Sequence, residues 1–312
     1  MMEKNYLLQM LKDYTGGNPA RFHMPGHGGN GISGVFDDAY KFDITETDAT
    51  DDLLRPAKDG PVEKTEREVA KVYSAKNALI SASGATLALR AALLACARKK
   101  RSLNFALDRG VHSSVINAIA EIGGRIRYFD GIRNKAEISG CAAAVLTTPD
   151  YYGRIYPTGE LFALSEEEDI PVIIDNSHGA HLEFYDKSLL PHKFLRIDSL
   201  HKTTPALTGS ALLLDYGLFD YAELKSAMRV SASTSPSYII AASAAQAVFY
   251  MEERGKELLD SLLRNITAFK RNMQKAGFEF YSPEKSDPFR VVICDKNSER
   301  YIKRSRKTKA GP

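Results

Sequence analysis

The chain has 312 residues, of which 44% are hydrophobic, and this is enough to bury one substantial core plus accessory structure. Its net charge of +3 is uneven, because residues 296–312 carry +6 and the rest about −3. The basic run from Lys303 to Lys309 contains no aromatic residue for base stacking, so we expect a solvated, disordered tail and no nucleic-acid partner.

The cysteine pattern and the N-terminal residues indicate where in the cell the protein is located. Three cysteines lie far apart, in no arrangement typical of a disulfide framework or a zinc knuckle, and this favours a reducing cytoplasm. Residues 1–14 are too polar and too short for a signal peptide or a membrane span. We therefore predict a cytoplasmic protein that does not associate with a membrane.

The first 60 residues read differently from the rest of the chain. They predict a short helix ending at Gly16-Gly17, followed by a loop-rich segment with the sequence His23-Met24-Pro25-Gly26-His27. His23 and His27 have the spacing of metal ligands on a helix, but Pro25-Gly26 between them argues against a helix. We interpret residues 1–60 as an N-terminal helix and arm.

From about Lys76 the sequence alternates short apolar runs with helix-like segments. The predicted strands are Ala78–Ser81, Leu103–Leu107, Ile126–Phe129, Ala142–Thr147, Val172–Asp175, Leu195–Ser199 and Ser210–Leu214. Several are β-branched or alanine-rich without polar alternation, which is typical of strands covered on both faces. The pattern predicts an α/β domain over residues 61–277, with a mainly parallel, seven-stranded sheet.

Helices are predicted between the strands and after the last one. The predicted helices with recognisable start or stop signals are Thr86–Lys100, Ser113–Ile122, Ser237–Glu253 and Gly255–Ala276. Gly277 ends the last of them. We assign residues 278–295 to the start of a C-terminal domain and residues 296–312 to the basic tail.

Three predicted strand ends carry polar residues, and ligands of open α/β sheets bind outside the carboxyl ends of the strands. The first is Ser83-Gly84-Ala85-Thr86, which opens a helix. Free backbone N–H groups and the positive end of a helix hold phosphate well, and the Thr86 hydroxyl adds a donor. Taken alone, this segment is more often a simple helix cap.

The other two strand ends deliver an aspartate and a lysine. Asp175 follows an apolar strand, and it suits a metal ligand, a base or the partner of a protonated heterocyclic nitrogen. Lys202 follows the next strand, within a stretch that we expect inside the fold. A partly desolvated amine has a lowered pKa and becomes a Schiff-base nucleophile, although a strand-end lysine is more often a surface residue.

An anion site, a counter-ion and an imine-forming amine are together the parts that a pyridoxal 5′-phosphate (PLP) site requires. A weaker alternative takes Asp175, His178, His181 and His201 as a zinc or iron site, because these residue types suit either metal. Loop histidines beside PLP are the preferred interpretation, with no metal.

Over roughly residues 5–293 the chain resembles the Orn/Lys/Arg decarboxylases, PLP-dependent enzymes of fold type I, and in particular the short, wingless arginine-decarboxylase-like subgroup. The matching motifs are Phe22-His23-Met24-Pro25-Gly26-His27, Asp43-Ile44-Thr45-Glu46, His178-Gly179-Ala180-His181, Ser199 through Leu207 and Ser233-Thr234-Ser235-Pro236-Ser237-Tyr238. The resemblance implies decarboxylation of arginine, lysine or ornithine, with arginine favoured, in a homodimer or higher oligomer with shared active sites.

The resemblance also implies residue roles. Lys202 would form the internal aldimine, Asp175 would pair with the pyridinium nitrogen and His112 would stack on the ring. The catalytic set is Lys202, Asp175, His112 and His178. The cofactor-binding set is Lys202, Asp175, His112, Gly84, Ala85, Thr86, Ser199, His201 and Ser177.

Two departures from the family pattern qualify these expectations. Ala85 stands where serine is usual, which removes a hydroxyl donor worth about 1–2 kcal/mol of cofactor binding. The segment after Ile293 is much shorter than the family's C-terminal domain, so we expect a truncated small domain. The alternative to an active decarboxylase is a non-catalytic relic or a partner subunit that dimerises with an intact paralogue.

Overall fold

The computed structural model describes residues 4–30, 34, 36–47, 50–129 and 135–294. The basic tail predicted at residues 296–312 lies outside them. The α-helices are α1 Tyr6–Gly16, α2 Asp37–Phe42, α3 Pro61–Val72, α4 Gly84–Lys100, α5 Ser113–Glu121, α6 Gly159–Glu167, α7 Leu200–Thr203, α8 Tyr221–Ser231 and α9 Tyr238–Lys275. The strands are β1 Asn77–Ser81, β2 Asn104–Asp108, β3 Arg125–Phe129, β4 Ala143–Thr147, β5 Val172–Asp175, β6 Leu195–Asp198, β7 Ala211–Asp215, β8 Glu279–Phe280 and β9 Ile293–Cys294.

Strands β1 to β7 form one sheet in the order β1-β7-β6-β5-β4-β2-β3. Only β7 runs antiparallel to its neighbours, β1 and β6, and the remaining pairs are parallel. All seven strands lie within one residue of the predicted bounds. The predicted mainly parallel, seven-stranded sheet is therefore confirmed.

Both faces of the central strands β4, β5 and β7 are covered, which explains why these strands lack polar alternation, whereas the edge strand β3 is largely exposed. Ile173 of β5 packs on one side with α4, α5 and α8, whereas its neighbours Val172 and Ile174 pack on the other side with α6. On that second side, Leu212 and Leu214 of β7 pack with α1, α3 and α9. Successive residues of a strand point to opposite faces, so a strand covered on both faces is apolar at nearly every position.

Helix α9 corrects one prediction. The sequence suggested two helices that meet between Glu253 and Gly255, but the structure has one helix of 38 residues. Gly255 does not interrupt it. A Cβ atom at this position would lie 2.8 Å from the Cβ of Phe184, so the glycine permits close packing of α9 against the loop after β5.

Two histidines make polar contacts within the N-terminal helix and arm. His23 hydrogen-bonds to Tyr14, and the Nε2 atom of His27 lies 3.1 Å from Asp43. Neither histidine lies on a helix, as the sequence predicted. Over the residues that the structure describes, no helix combines the length and apolar character that crossing a membrane requires.

Candidate active site

A cavity of about 520 Å³ lies at the carboxyl ends of β1, β2, β4, β5 and β6. Its lining includes all of the site residues predicted from the sequence: Gly84, Ala85, Thr86, His112, Asp175, Ser177, His178, Ser199, His201 and Lys202. The fold thus brings together segments that are more than a hundred residues apart in the chain. Their individual roles stay predictions.

One wall of the cavity is the N-terminus of α4. Gly84 has a φ of +71°, a conformation that favours glycine, and its N–H donates to the Gly209 carbonyl at 2.7 Å. No side chain caps this helix, so N–H groups of its first turn lack a side-chain acceptor. The turn is suited to an anion, because the helix dipole is positive at this end.

Asp175 ends β5 and is only 2% exposed. Its Oδ1 atom accepts hydrogen bonds from the backbone N–H of Ser177 at 3.1 Å and from the Ser177 hydroxyl at 2.5 Å. Its Oδ2 atom has no hydrogen-bond partner among the described residues. Ser177 therefore orients the carboxylate and leaves one oxygen free.

Lys202 lies in the short helix α7 and is exposed to the cavity. We expected its surroundings to be inside the fold, but Pro205, Leu207 and Thr208 are exposed as well. Partial desolvation lowers the pKa of Lys202, with Arg290 acting in the same direction and Asp175 opposing it. The Nζ atom makes no hydrogen bond to any described residue, so an unpaired amine faces the cavity.

Three further predicted residues have defined hydrogen bonds. The Nδ1 atom of His201 lies 3.1 Å from the carbonyl oxygen of Ser210. Because a carbonyl can only accept, this nitrogen carries the proton. The Ser199 hydroxyl lies 3.5 Å from the same nitrogen. His112 precedes α5, where its Nδ1 atom accepts a hydrogen bond from the Ser114 N–H at 3.1 Å.

His178 contacts two residues that sequence reasoning missed. Its ring makes a T-shaped contact with the ring of Tyr151 at a centroid distance of 5.6 Å, and its Nδ1 atom accepts a hydrogen bond from Arg290 at 3.3 Å. Desolvation, followed by the positive charges of Lys202 and Arg290, lowers the pKa of His178 to about 4. His178 is therefore neutral near pH 7.

Thr147 was also missed. It ends β4 opposite Asp175, lines the cavity, and its buried hydroxyl has no partner among the described residues. The strand-end argument that found Asp175 would have found Thr147 too. No comparable signal marked Arg290, because it follows α9 and contacts the cavity residue His178 only through the fold.

The alternative metal site does not form. His181 points away from the cavity, is 4% exposed, and has its Nε2 atom 3.1 Å from Asp287. Across the described ranges, no three or more His, Cys, Asp or Glu side chains are grouped to hold a metal ion.

Comparison with solved structures identifies the fold. The lysine decarboxylase LdcF of Francisella novicida superposes with a TM-score of 0.75 at 20% identity, over 90% of this chain and 46% of that chain. The constitutive lysine decarboxylase of E. coli gives a TM-score of 0.72 at 20% identity, over 91% of this chain and 47% of that one. The fold is that of the fold type I decarboxylases, as the sequence predicted.

Sequence comparison gives the family. The profile described as "Orn/Lys/Arg decarboxylase, major domain" matches residues 6–143 and 130–297, and the chain belongs to this family. Arginine decarboxylase of Bacillus anthracis is 25% identical over 93% of this chain and 66% of its own length. Arginine decarboxylase of Bacillus subtilis is 25% identical over 81% of this chain and 57% of its own length. The chain thus spans at most about two thirds of these relatives.

Proposed function

We propose that this protein is a PLP-dependent decarboxylase of a basic amino acid, with arginine as the favoured substrate. One observation carries the proposal: the same cavity holds an amine, a carboxylate with one unbonded oxygen and a helix N-terminus without a side-chain cap. These groups belong to Lys202, Asp175 and α4. The amine, one oxygen of the carboxylate and N–H groups of the first helical turn have no side-chain partner among the described residues. Each of the three matches one part of PLP.

The donor set fits the cofactor. Lys202 would hold its carbonyl carbon, Asp175 its ring nitrogen, and the first turn of α4 its phosphate, with Thr86, Ser199 and His201 nearby. When bound, PLP supplies an electron sink for the carbanion that remains after CO₂ leaves. The cavity of about 520 Å³ lies in the range of small-molecule and cofactor sites.

The side chains supply binding and proton chemistry. Asp175 is held as an acceptor by Ser177, so its free oxygen can keep a proton on a ring nitrogen. Lys202 has a lowered pKa, which makes its Nζ atom better able to give up and take back a proton near neutral pH. His178 is neutral and can donate a hydrogen bond without adding a positive charge beside Lys202.

Support for arginine as substrate comes from the relatives, which are named arginine decarboxylases. Among the described residues that line the cavity, Asp175 is the only acidic one, and it is assigned to the ring. The acidic partner of a distal substrate cation therefore lies elsewhere. A homodimer and a cytoplasmic location remain part of the proposal.

The test is to purify the full chain, add PLP and record the visible spectrum before and after borohydride reduction. We expect a chromophore that reduction fixes on Lys202, and CO₂ release that is fastest with arginine among arginine, lysine and ornithine. Absence of a chromophore refutes the cofactor assignment. A fixed chromophore without CO₂ release supports the alternative, a chain that binds PLP but is non-catalytic or needs an intact paralogue.

A further inference from the structure

Residues 285–291, here called the strap, follow α9 and β8 and cross two loops of the active site. The Ile155 N–H donates to the Lys285 carbonyl at 2.9 Å, and the Asp287 N–H donates to the Gly153 carbonyl at 2.8 Å. The Asp287 side chain is also hydrogen-bonded to His181, in the loop after β5. The strap is therefore fixed to the loops that follow both β4 and β5.

This attachment determines where Arg290 lies. A Cβ atom at Gly153 would be 2.7 Å from the Cβ of Arg290, so the two backbones approach closely only because residue 153 is glycine. From this position the Nη2 atom of Arg290 reaches the Nδ1 atom of His178 at 3.3 Å. The contact joins the strap to a residue that lines the cavity.

A guanidinium group has only donors, so the Nδ1 atom of His178 must act as the acceptor and carry no proton. A neutral imidazole has a single ring proton, which then sits on Nε2. The Nε2 atom has no partner among the described residues. His178 thus has one nitrogen occupied by the protein and one N–H available to a ligand.

The charges around His178 favour this neutral form. The cations that face it are Lys202 and Arg290, and His112 is a third titratable group that disfavours a positive charge. Asp150 acts in the opposite direction but contributes least. The ring of Tyr151 packs against His178 in a T-shaped contact without adding charge.

We propose that Arg290 is a positioning residue that holds His178 as the neutral tautomer with its proton on Nε2. His178 then presents an uncharged hydrogen-bond donor to an oxygen atom of the bound cofactor or substrate. The nature of that ligand rests on the proposed function, whereas the tautomer does not.

The tautomer is measurable in the full chain labelled with ¹⁵N-histidine, first without added cofactor and then with PLP. Long-range ¹H–¹⁵N spectra distinguish the two neutral tautomers, and a His178→Gln variant identifies the signal among the seven histidines. We expect His178 to carry its proton on Nε2 and not to titrate between pH 5 and pH 8. A proton on Nδ1 overturns the proposal. This outcome can be observed in the wild-type chain, without a variant of Arg290.

The role of Arg290 is tested with Arg290→Gln and Arg290→Lys, and with Arg264→Gln as the control at an exposed position of α9. Loss of the arginine should raise the pKa of His178 by roughly one unit and mix the tautomers. Lysine keeps the charge and should produce a smaller rise. An unchanged pKa and tautomer in Arg290→Gln refutes the positioning role.

These spectra separate the two proposals. If the chain forms no product but His178 behaves as described, the decarboxylase proposal fails and the positioning role stands. If it forms product, Arg290→Gln should lower kcat more than it changes KM and should move the acid limb of the rate profile toward higher pH.

Discussion

Two groups of charges lie close together on the same part of the chain, yet their surroundings are opposite. Arg196 and Asp198 of β6 have fully buried side chains, and the guanidinium of Arg196 bonds to Asp198 at 3.0 Å and to Glu183 at 2.8 Å. Lys202, four residues further on, is exposed and has no hydrogen-bond partner among the described residues. We call Glu183, Arg196 and Asp198 the buried cluster.

This difference in burial and pairing distinguishes charges that stabilise the fold from charges that are available to a ligand. Buried charges require partners, because an unpaired charge in the interior is costly. The buried cluster satisfies this requirement and joins β6 to the loop after β5, and the amide of Asn176 also donates to Asp198 at 2.7 Å. In the cavity, by contrast, the Nζ atom of Lys202 and one carboxylate oxygen of Asp175 have no partner among the described residues, as expected for groups that bind a ligand.

The largest expected effect is on activity. Lys202→Ala should abolish product formation, by at least roughly 10³-fold, because the amine that holds the cofactor is lost. The free energy of unfolding should change by less than about 0.5 kcal/mol, since the side chain is exposed and unpaired. Lys225→Ala is the matched control: this buried lysine bonds to Glu66 at 2.8 Å, and its loss should instead lower stability. A large loss of stability in Lys202→Ala contradicts the comparison.

Arg196→Met should give the largest loss of stability. It leaves Glu183 and Asp198 buried without their shared cation, a change that costs about 3–5 kcal/mol. Urea unfolding measures this value, with Arg264→Met as the control because that arginine is exposed on α9. Equal effects of the two substitutions would show that the buried cluster does not support the fold.

Acid should weaken the buried cluster within a defined pH range. Burial raises the pKa of Glu183, but the hydrogen bond to His192 and the charge of Arg196 outweigh it and lower the pKa to about 2. The unfolded chain then binds more protons, so this contribution is complete above about pH 4.5 and is lost as the pH falls toward 2. Its size is at most about 3 kcal/mol.

The comparison of wild type with Glu183→Gln isolates this contribution, because both proteins keep Asp198. Between pH 6 and pH 3 the unfolding free energy of wild type should fall more steeply than that of the variant. Parallel curves in urea titrations would mean that Glu183 does not titrate as described.

Ser177→Ala should have a moderate effect on cofactor binding. It removes the 2.5 Å hydrogen bond that orients Asp175, and we expect roughly tenfold weaker PLP binding in an absorbance titration. Ser188→Ala is a matched control, since it removes a similar 2.7 Å hydrogen bond to Asp186 at an exposed site. Unchanged affinity in Ser177→Ala would mean that Asp175 does not need this contact.

Ala85→Ser should have the smallest effect and the opposite sign. A hydroxyl in the first turn of α4 adds a donor at the proposed phosphate position and should tighten PLP binding by about 1 kcal/mol. Ala85→Val adds bulk without a donor and should not tighten it. Equal affinities for wild type and Ala85→Ser would argue against a phosphate at this turn.

Local sequence was informative about the sheet and the site because both depend on short-range patterns. A fully apolar run of four or five residues predicts a strand covered on both faces, and β4, β5 and β7 are buried at every position, whereas the edge strand β3 is largely exposed. In a parallel arrangement the residues after such runs meet at one edge, so Asp175 and Lys202 could be placed together. The helix break predicted at Gly255 was wrong, because this glycine permits a close packing contact with Phe184 and does not form a turn.

The sequence alone determined the fold class, the strands and the set of polar residues at the strand ends, since these follow from local periodicity and from the direction of parallel strands. Tertiary structure decided which charges are satisfied. The packed chain buries Arg196 and supplies its partners, whereas it leaves Lys202 exposed and without a partner among the described residues. Arg290 reaches His178 only because the strap crosses two distant loops. Such pairings depend on distances between segments far apart in the chain, which no local pattern encodes.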